Sequence, residues 1–148
     1  MRKIEIELNG QWVENPVSYL SGVVSEALLL DEEAPETCQA LWDSLPIYTR
    51  TIHTFAAGQC WRTESNHELR KKDASIENLA QEMIPGDIFY HDSRGMGNYK
   101  IAFCYGNAKW PVPACHIAHI DKNLEGLINM SRRILYEGPI TVTIRRKD

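Results

Sequence analysis

The segment KIAFCY, residues 100–105, carries the pattern that decides the fold. Its largest apolar side chains, Ile101, Phe103 and Tyr105, occupy every second position, with small residues between them. Successive side chains of a strand point to opposite faces of a sheet, so this period of two predicts a β-strand with one face in a core. We therefore expect a domain built mainly from strands.

Short segments with an alternating or continuous apolar pattern recur along the chain, at residues 3–8, 23–30, 50–55, 59–63, 88–91, 114–120 and 140–144. Many short strands in one small domain favour a closed barrel, because closure removes the exposed sheet edges. Asn9-Gly10 predicts a hairpin turn that leads into a returning strand at 11–14. Residues 75–84 fit either a short helix or a strand, and a loop is expected around Pro111 and Pro113.

Two segments have the helical period instead. Pro35 suits the first turn of a helix, and Pro46 stops it, so a helix is predicted over 35–45. A second helix should be capped by Asp121 and end near Gly138. The sequence thus predicts a mainly β fold, a closed β-barrel with two α-helices, as a single domain over residues 1–148.

Composition narrows the classes of function. The chain has 148 residues, 43% of them hydrophobic, and a net charge of −4. Nucleic-acid binders concentrate basic charge on one face, so we expect no nucleic-acid partner. No run of about 18 apolar residues is present, and we expect no membrane partner. The four cysteines form no Cys-x-x-Cys pair and no secretory leader precedes them, which predicts reduced thiols in a cytoplasmic protein.

Three segments carry a family resemblance. LLDEEAPETC at 29–38 resembles the cyclophilin strand that runs through an acidic turn into a helix starting at proline. PGDIFY at 85–90, followed by IAFCYG at 101–106, resembles a prokaryotic family of small cyclophilin-like proteins of unassigned function. The helix and strand expected within residues 121–144 also suit that family. The resemblance implies a cyclophilin-like barrel of eight strands with two helices.

The same resemblance does not imply prolyl isomerase activity. In cyclophilins the active strand contains Phe-His-Arg, and a later Gln-Gly-Gly segment completes the site. The comparable region here is RTIHTF at 50–55, and the sequence has no Gln-Gly-Gly segment. We therefore expect no prolyl isomerase activity, and the sequence leaves open whether the protein is an enzyme.

A set of basic and aromatic residues near the predicted strand ends is expected to line a ligand pocket. Pockets combine apolar and aromatic walls with a few polar groups, and a guanidinium can hold a carboxylate by two hydrogen bonds. The predicted ligand-binding residues are Arg50, His53, Trp61, Arg62, Tyr90, Tyr105 and His116. If a reaction takes place there, His53 and His116 are the candidate catalytic groups, because histidine titrates near neutral pH.

Cys115, His116 and His119 are residue types that bind zinc. On a strand, Cys115 and His119 share a face while His116 points the other way, and the spacing lacks the paired signature of structural zinc sites. We therefore predict no metal site and no cofactor. A nucleophilic thiol is a further alternative, since a histidine can activate Cys60, Cys104 or Cys115.

Three functions remain open from the sequence. The leading one is binding of a small polar or anionic metabolite, such as a carboxylate or cyclic amide, in a pocket on the side of the barrel. The second is a small hydrolase or isomerase of such compounds that uses His and Arg chemistry. The third is a non-catalytic interaction module, such as a homodimer formed through a strand edge or through Trp12 and Trp110.

Overall fold

The computed structural model describes residues 2–10, 22–55, 57–69, 77–92 and 97–147. Within these ranges the elements are β1 (Lys3–Asn9), β2 (Val23–Leu29), α1 (Pro35–Ser44), β3 (Ile47–His53), β4 (Gly58–Thr63), β5 (Leu79–Met83), β6 (Asp87–His91), β7 (Lys100–Lys122), α2 (Leu124–Arg132), α3 (Ile134–Glu137) and β8 (Thr141–Arg146). The predicted returning strand at 11–14, with Trp12, lies outside the described residues.

The strands close into a barrel. Hydrogen bonds join them in the order β2-β1-β8-β3-β4-β7, and β2 also pairs with β7, so the ring of six antiparallel strands has no free edge. β5 and β6 complete the eight-stranded sheet by pairing with β7. The prediction of a mainly β fold, a closed barrel with two helices, is confirmed; α3 adds a single turn after α2.

The strand β6 lies between the two halves of the long strand β7. Ile88 lies opposite both Phe103 and Ala118, so β6 pairs with each half of β7. The loop predicted around Pro111 and Pro113 is wrong, because the strand continues through both prolines. They lie where the β5–β7 register shifts, a place that tolerates the missing proline N–H.

Two other expectations are decided by the structure. Residues 75–84 contain a strand, β5, rather than a helix, among the residues described there. The predicted cap at Asp121 is wrong: the α2 N-cap is Asn123, whose side chain accepts a hydrogen bond from the Gly126 N–H at 3.2 Å. Asp121 instead forms an ion pair with Lys3, with 2.8 Å between its Oδ2 and Nζ.

Side chains from both helices and from the inner sheet face fill the barrel. Trp61 of β4 is fully buried and stacks on Phe103 of β7, with ring centroids 4.2 Å apart. Its indole N–H donates to the Ser131 hydroxyl of α2 at 2.8 Å, which satisfies the one polar group that the ring brings into the core. Leu127 of α2 and Leu41 of α1 join the same core.

A second, smaller apolar cluster lies on the outer face of β4, β6 and β7. Residues that are directly opposite in a ladder share a face, so Cys60 and Cys104 lie together on this side, as do Phe89 and Ala102. Trp110, from the middle of β7, packs with them. The candidate site lies on this outer-face cluster.

No helix in the described ranges is long and apolar enough to cross a membrane.

We expect Ser131→Ala to destabilise the fold by about 1–3 kcal/mol, because the buried Trp61 N–H would lose its acceptor. The free energy of unfolding in urea measures this loss. Ser44→Ala is the matched control, since its hydroxyl bonds the Ala40 carbonyl on the exposed side of α1 and should change stability by at most about 0.5 kcal/mol. Equal unfolding energies for the two variants would contradict the prediction.

Candidate functional site

The residues predicted to line a pocket are divided between the two faces of one barrel wall. Four belong to the inner-facing set, namely His53, Trp61, Tyr90 and Tyr105, and three to the outer-facing set, namely Arg50, Arg62 and His116. The structure therefore does not bring all seven together. The two sets have to be considered as separate environments.

Three of the inner-facing residues, Trp61, Tyr90 and Tyr105, belong to the core. Trp61 is fully buried, as described above. Tyr90 is also fully buried, and its hydroxyl donates to the His67 carbonyl at 2.7 Å and accepts from the Leu69 N–H at 2.8 Å. These bonds fasten the segment 67–69 to β6. We therefore leave Trp61 and Tyr90 out of the candidate site.

His53 and Tyr105 form a hydrogen-bonded pair. Nδ1 of His53 lies 2.7 Å from the Thr54 carbonyl oxygen, and Nε2 lies 2.6 Å from the Tyr105 hydroxyl. A carbonyl oxygen only accepts, so Nδ1 carries the proton and Nε2 accepts from the phenol. Burial raises the pKa of Tyr105, which keeps its proton on the hydroxyl. Both ring nitrogens of His53 are thus engaged.

The two arginines of the outer face differ in their surroundings. Arg50 is exposed and forms an ion pair with Glu64, with 2.6 Å between its Nη2 and Oε2. Arg62 forms no ion pair with any residue in the described part of the chain, and its Nε is buried without a hydrogen-bond acceptor. Arg62 therefore brings to the outer face a positive charge with which no described carboxylate forms an ion pair.

Two further basic residues lie beside Arg62. His91 of β6 is opposite Lys100 of β7, and both are on the outer face. Burial, and then the charge of Arg62, lower the pKa of Lys100, whose ammonium group donates to the Glu64 backbone carbonyl. Burial and the same arginine lower the pKa of His91 to about 4, against the opposing effect of Asp92. The imidazole is consequently neutral at pH 7.

Trp110 packs against His91 of this basic group. It is 7% exposed, its ring centroid lies 4.8 Å from that of His91 and 6.0 Å from that of Phe89, and its indole N–H is buried without an acceptor. Two buried N–H donors of this group, on Arg62 and on Trp110, therefore lack acceptors within the described residues. We call the group Arg62, His91, Lys100 and Trp110 the outer-face site.

Sequence reasoning found only Arg62 of this site. Lys100 could have been predicted from the sequence, because the alternation of residues 100–105 puts it with Ala102 and Cys104 on the face away from the core. Trp110 was expected instead as an exposed residue of a dimer interface, which is wrong: it is 7% exposed, and the register shift in the middle of β7 sets its position.

A second polar group lies at the other end of β6. The carboxylate of Asp87, a residue that is 6% exposed, has its Oδ1 3.2 Å from Nε2 of His116 and 2.8 Å from Nδ1 of His119. Burial alone would raise the pKa of Asp87, but hydrogen bonds from His116, the Ile84 N–H and His119 lower it. The candidate catalytic residue His116 thus lies beside a carboxylate, about two residues along β6 from the outer-face site.

The sequence also raised the alternatives of a metal site and of a nucleophilic thiol. The described residues contain no group of three or more His, Cys, Asp or Glu that could hold a metal ion. Cys115 is buried in the barrel core, away from His116. Burial raises the pKa of Cys38 to about 12 and those of Cys60 and Cys104 to about 11, which leaves these thiols protonated near neutral pH.

We therefore expect the native protein to resist alkylation by iodoacetamide at about pH 8. A thiol with a pKa of about 11 is ionised in only about one molecule in a thousand at that pH, and all four cysteines are buried. Intact-mass measurement should find no adduct on the folded protein and four after denaturation in urea. Rapid single modification of the folded chain would show an activated thiol instead.

Two solved structures share the fold. A structure of McbB in complex with tryptophan aligns over 96% of this chain with a TM-score of 0.73 and 21% identity. The solution structure of the hypothetical protein AF2241 from Archaeoglobus fulgidus aligns over 98% of this chain and 95% of its own, with a TM-score of 0.61 and 17% identity. The chain spans less than half of McbB, 44% of its length. At these identities the likeness concerns the barrel alone.

A comparison with curated proteins gives no match. A family comparison does, over residues 19–145, which include most of the barrel and both groups of polar residues described above. On this match the chain belongs to DUF3830, a family of proteins of unknown function.

Proposed function

We propose that the outer-face site binds a small anionic molecule with a flat apolar part, such as an aromatic carboxylate. The observation that carries this proposal is the pair of buried N–H donors, Arg62 Nε and Trp110 Nε1, that have no acceptor. A buried donor without a partner costs about 1–3 kcal/mol, so a ligand that accepts from both would relieve an existing penalty.

The charges around the site favour an anion over a neutral ligand. Arg62 and Lys100 both lie on this face, and the charge of Arg62 lowers the pKa of the buried Lys100. The Glu64 side chain is engaged by Arg50, so it does not neutralise Arg62. A carboxylate or phosphate placed between the two cations would accept charge-assisted hydrogen bonds, which contribute about 1.5–3 kcal/mol each.

The floor of the site favours a flat ring on the anion. Trp110, Phe89 and His116 form a row of aromatic rings: Trp110 meets Phe89 edge to face, and His116 stacks on Phe89 with centroids 4.7 Å apart. Tryptophan, with which McbB was solved, combines a carboxylate with a flat ring. It is therefore a rational first probe for this barrel, alongside indole-3-acetate, benzoate and inorganic phosphate.

Other expectations from the sequence are compatible with this proposal. A cyclophilin-like relationship, a prokaryotic source and a cytoplasmic location suit a metabolite-binding barrel. A homodimer stays a prediction. Of the predicted ligand residues, Arg62 belongs to the outer-face site, His116 borders it, and Arg50 lies beside it.

We expect Arg62→Gln to weaken binding of the best-bound aromatic carboxylate by about 10–100-fold, because it removes one charge-assisted hydrogen bond. Isothermal titration calorimetry measures the change. Arg50→Gln is the matched control: the same substitution on the neighbouring strand removes an exposed arginine that already has a carboxylate partner. The proposal fails if no anion of the panel binds, or if the two variants lose affinity equally.

We expect Trp110→Phe to weaken the same binding by about fivefold, because the ligand would lose the indole N–H as a donor. Phenylalanine keeps an aromatic ring over Phe89 and His91 but removes the N–H that lacks an acceptor in the free protein. Titration measures the affinity, and urea unfolding measures the stability. Unchanged affinity together with lower stability would show that the indole N–H serves the fold rather than a ligand.

A further inference from the structure

The carboxylate of Asp87 is almost fully used by hydrogen bonds. One oxygen, Oδ2, accepts from the Ile84 N–H at 3.0 Å. The other, Oδ1, lies 2.8 Å from His119 Nδ1 and 3.2 Å from His116 Nε2. These hydrogen bonds lower the pKa of Asp87 despite its burial, so the group is ionised at neutral pH and acts as an acceptor only.

The hydrogen-bond partners fix the protonated nitrogen of each imidazole. His119 must carry its proton on Nδ1 in order to donate to the carboxylate, which leaves Nε2 as the basic nitrogen. Nε2 makes no hydrogen bond with any residue in the described ranges, and the His119 side chain is 38% exposed. His116 carries its proton on Nε2, which faces both Asp87 and the Ala118 carbonyl at 3.0 Å.

The turn before β6 also restricts the orientation of the His119 ring. Gly86 has a φ of 97°, and a Cβ at this position would lie 3.2 Å from Cε1 of His119 and 3.1 Å from Cδ1 of Leu124. The absence of a side chain therefore lets the imidazole pack closely against the turn. One edge of the ring is fixed by Asp87, and the edge that carries Cε1 lies against Gly86.

From this geometry we propose that the protein hydrolyses activated carboxylic esters at the outer face of the barrel. His119 is the general base of this reaction, and Asp87 positions it. An imidazole whose Nδ1–H is held by a carboxylate presents a basic Nε2 to solvent, and the carboxylate stabilises the imidazolium when Nε2 takes up a proton. The activity does not depend on the anion-binding function proposed above.

The reaction needs only water and the ester. Nε2 of His119 accepts a proton from a water molecule as the water oxygen bonds to the ester carbonyl carbon. The tetrahedral adduct then collapses, the bond from carbon to the leaving oxygen breaks, and the proton on Nε2 passes to that oxygen. The products are a carboxylic acid and an alcohol, and His119 returns to its neutral form.

His116 and residues of the neighbouring strand β2 complete the surroundings of His119. His116 stacks on Phe89 and bonds Asp87 from the other side, so it shares the carboxylate with His119. On the neighbouring strand β2, Leu28 is opposite His119 and carries no charge. Further along, Glu26 is in ion pairs with Lys3 and Lys122, whereas the carboxylate of Asp87 contacts the His119 ring directly.

The test uses the intact chain and p-nitrophenyl acetate, whose hydrolysis is followed by release of p-nitrophenolate. We expect turnover above that of an equal concentration of free imidazole, and we expect His119→Gln to lower the enzymatic rate by about 100-fold, the smaller end of general-base contributions. His67→Gln is the matched control, because His67 is half-buried and bonds Ser65 away from this group. Circular dichroism and urea unfolding should show both variants to be folded.

Asp87 acts through His119, so its test is the pH profile. The rate should rise with pH as His119 loses its proton, and in Asp87→Asn the midpoint should move to lower pH because the imidazolium loses its counter-charge. The proposal is overturned if the rate equals that of free imidazole, if His119→Gln and His67→Gln behave alike, or if release of p-nitrophenolate stops after one equivalent. A midpoint that Asp87→Asn leaves unmoved would remove Asp87 from the mechanism.

Discussion

The hydrogen-bond ladders on the two sides of β6 hold in place both the barrel core and the polar groups of the outer face. Ile88 and Tyr90 each face partners on both halves of β7, so a five-residue strand joins two stretches of backbone that are far apart in the sequence. The inner side of β6 contributes to the core, whereas its outer side carries Asp87, Phe89 and His91. Displacing β6 would therefore separate the basic group at one end from the carboxylate at the other.

The fold was readable from local pattern wherever one strand face is apolar. The alternation of residues 100–105, and the prolines at both ends of α1, predicted elements that the structure contains, because burial and a missing N–H act within a few residues. The N-cap of α2 was misplaced by two residues, since Asp121 is engaged by Lys3 from the distant strand β1. Pairing between remote segments is not visible in a local window, and it overrode the local preference.

The site was less predictable than the fold, for a related reason. A list of basic and aromatic residues does not say which face of the wall each one occupies, and it placed the core residues Trp61 and Tyr90 beside Arg62. The face follows from the strand register, so Lys100 and His91 become neighbours only once β6 is paired with β7. The basic nitrogen of His119 is even less accessible to sequence reasoning, because the Asp87 carboxylate that orients the ring comes from another strand.

The register shift between β5 and β7 separates the parts of β7 that close the barrel from the part that forms its outer surface. The residues that close the ring lie at the two ends of β7, against β4 and β2, while Trp110, Pro111 and Pro113 occupy the displaced middle. Residues can be gained, lost or exchanged in that middle segment without altering either closing ladder. A substitution there would therefore change the outer face, on which the proposed site lies, while the ring of strands stays closed.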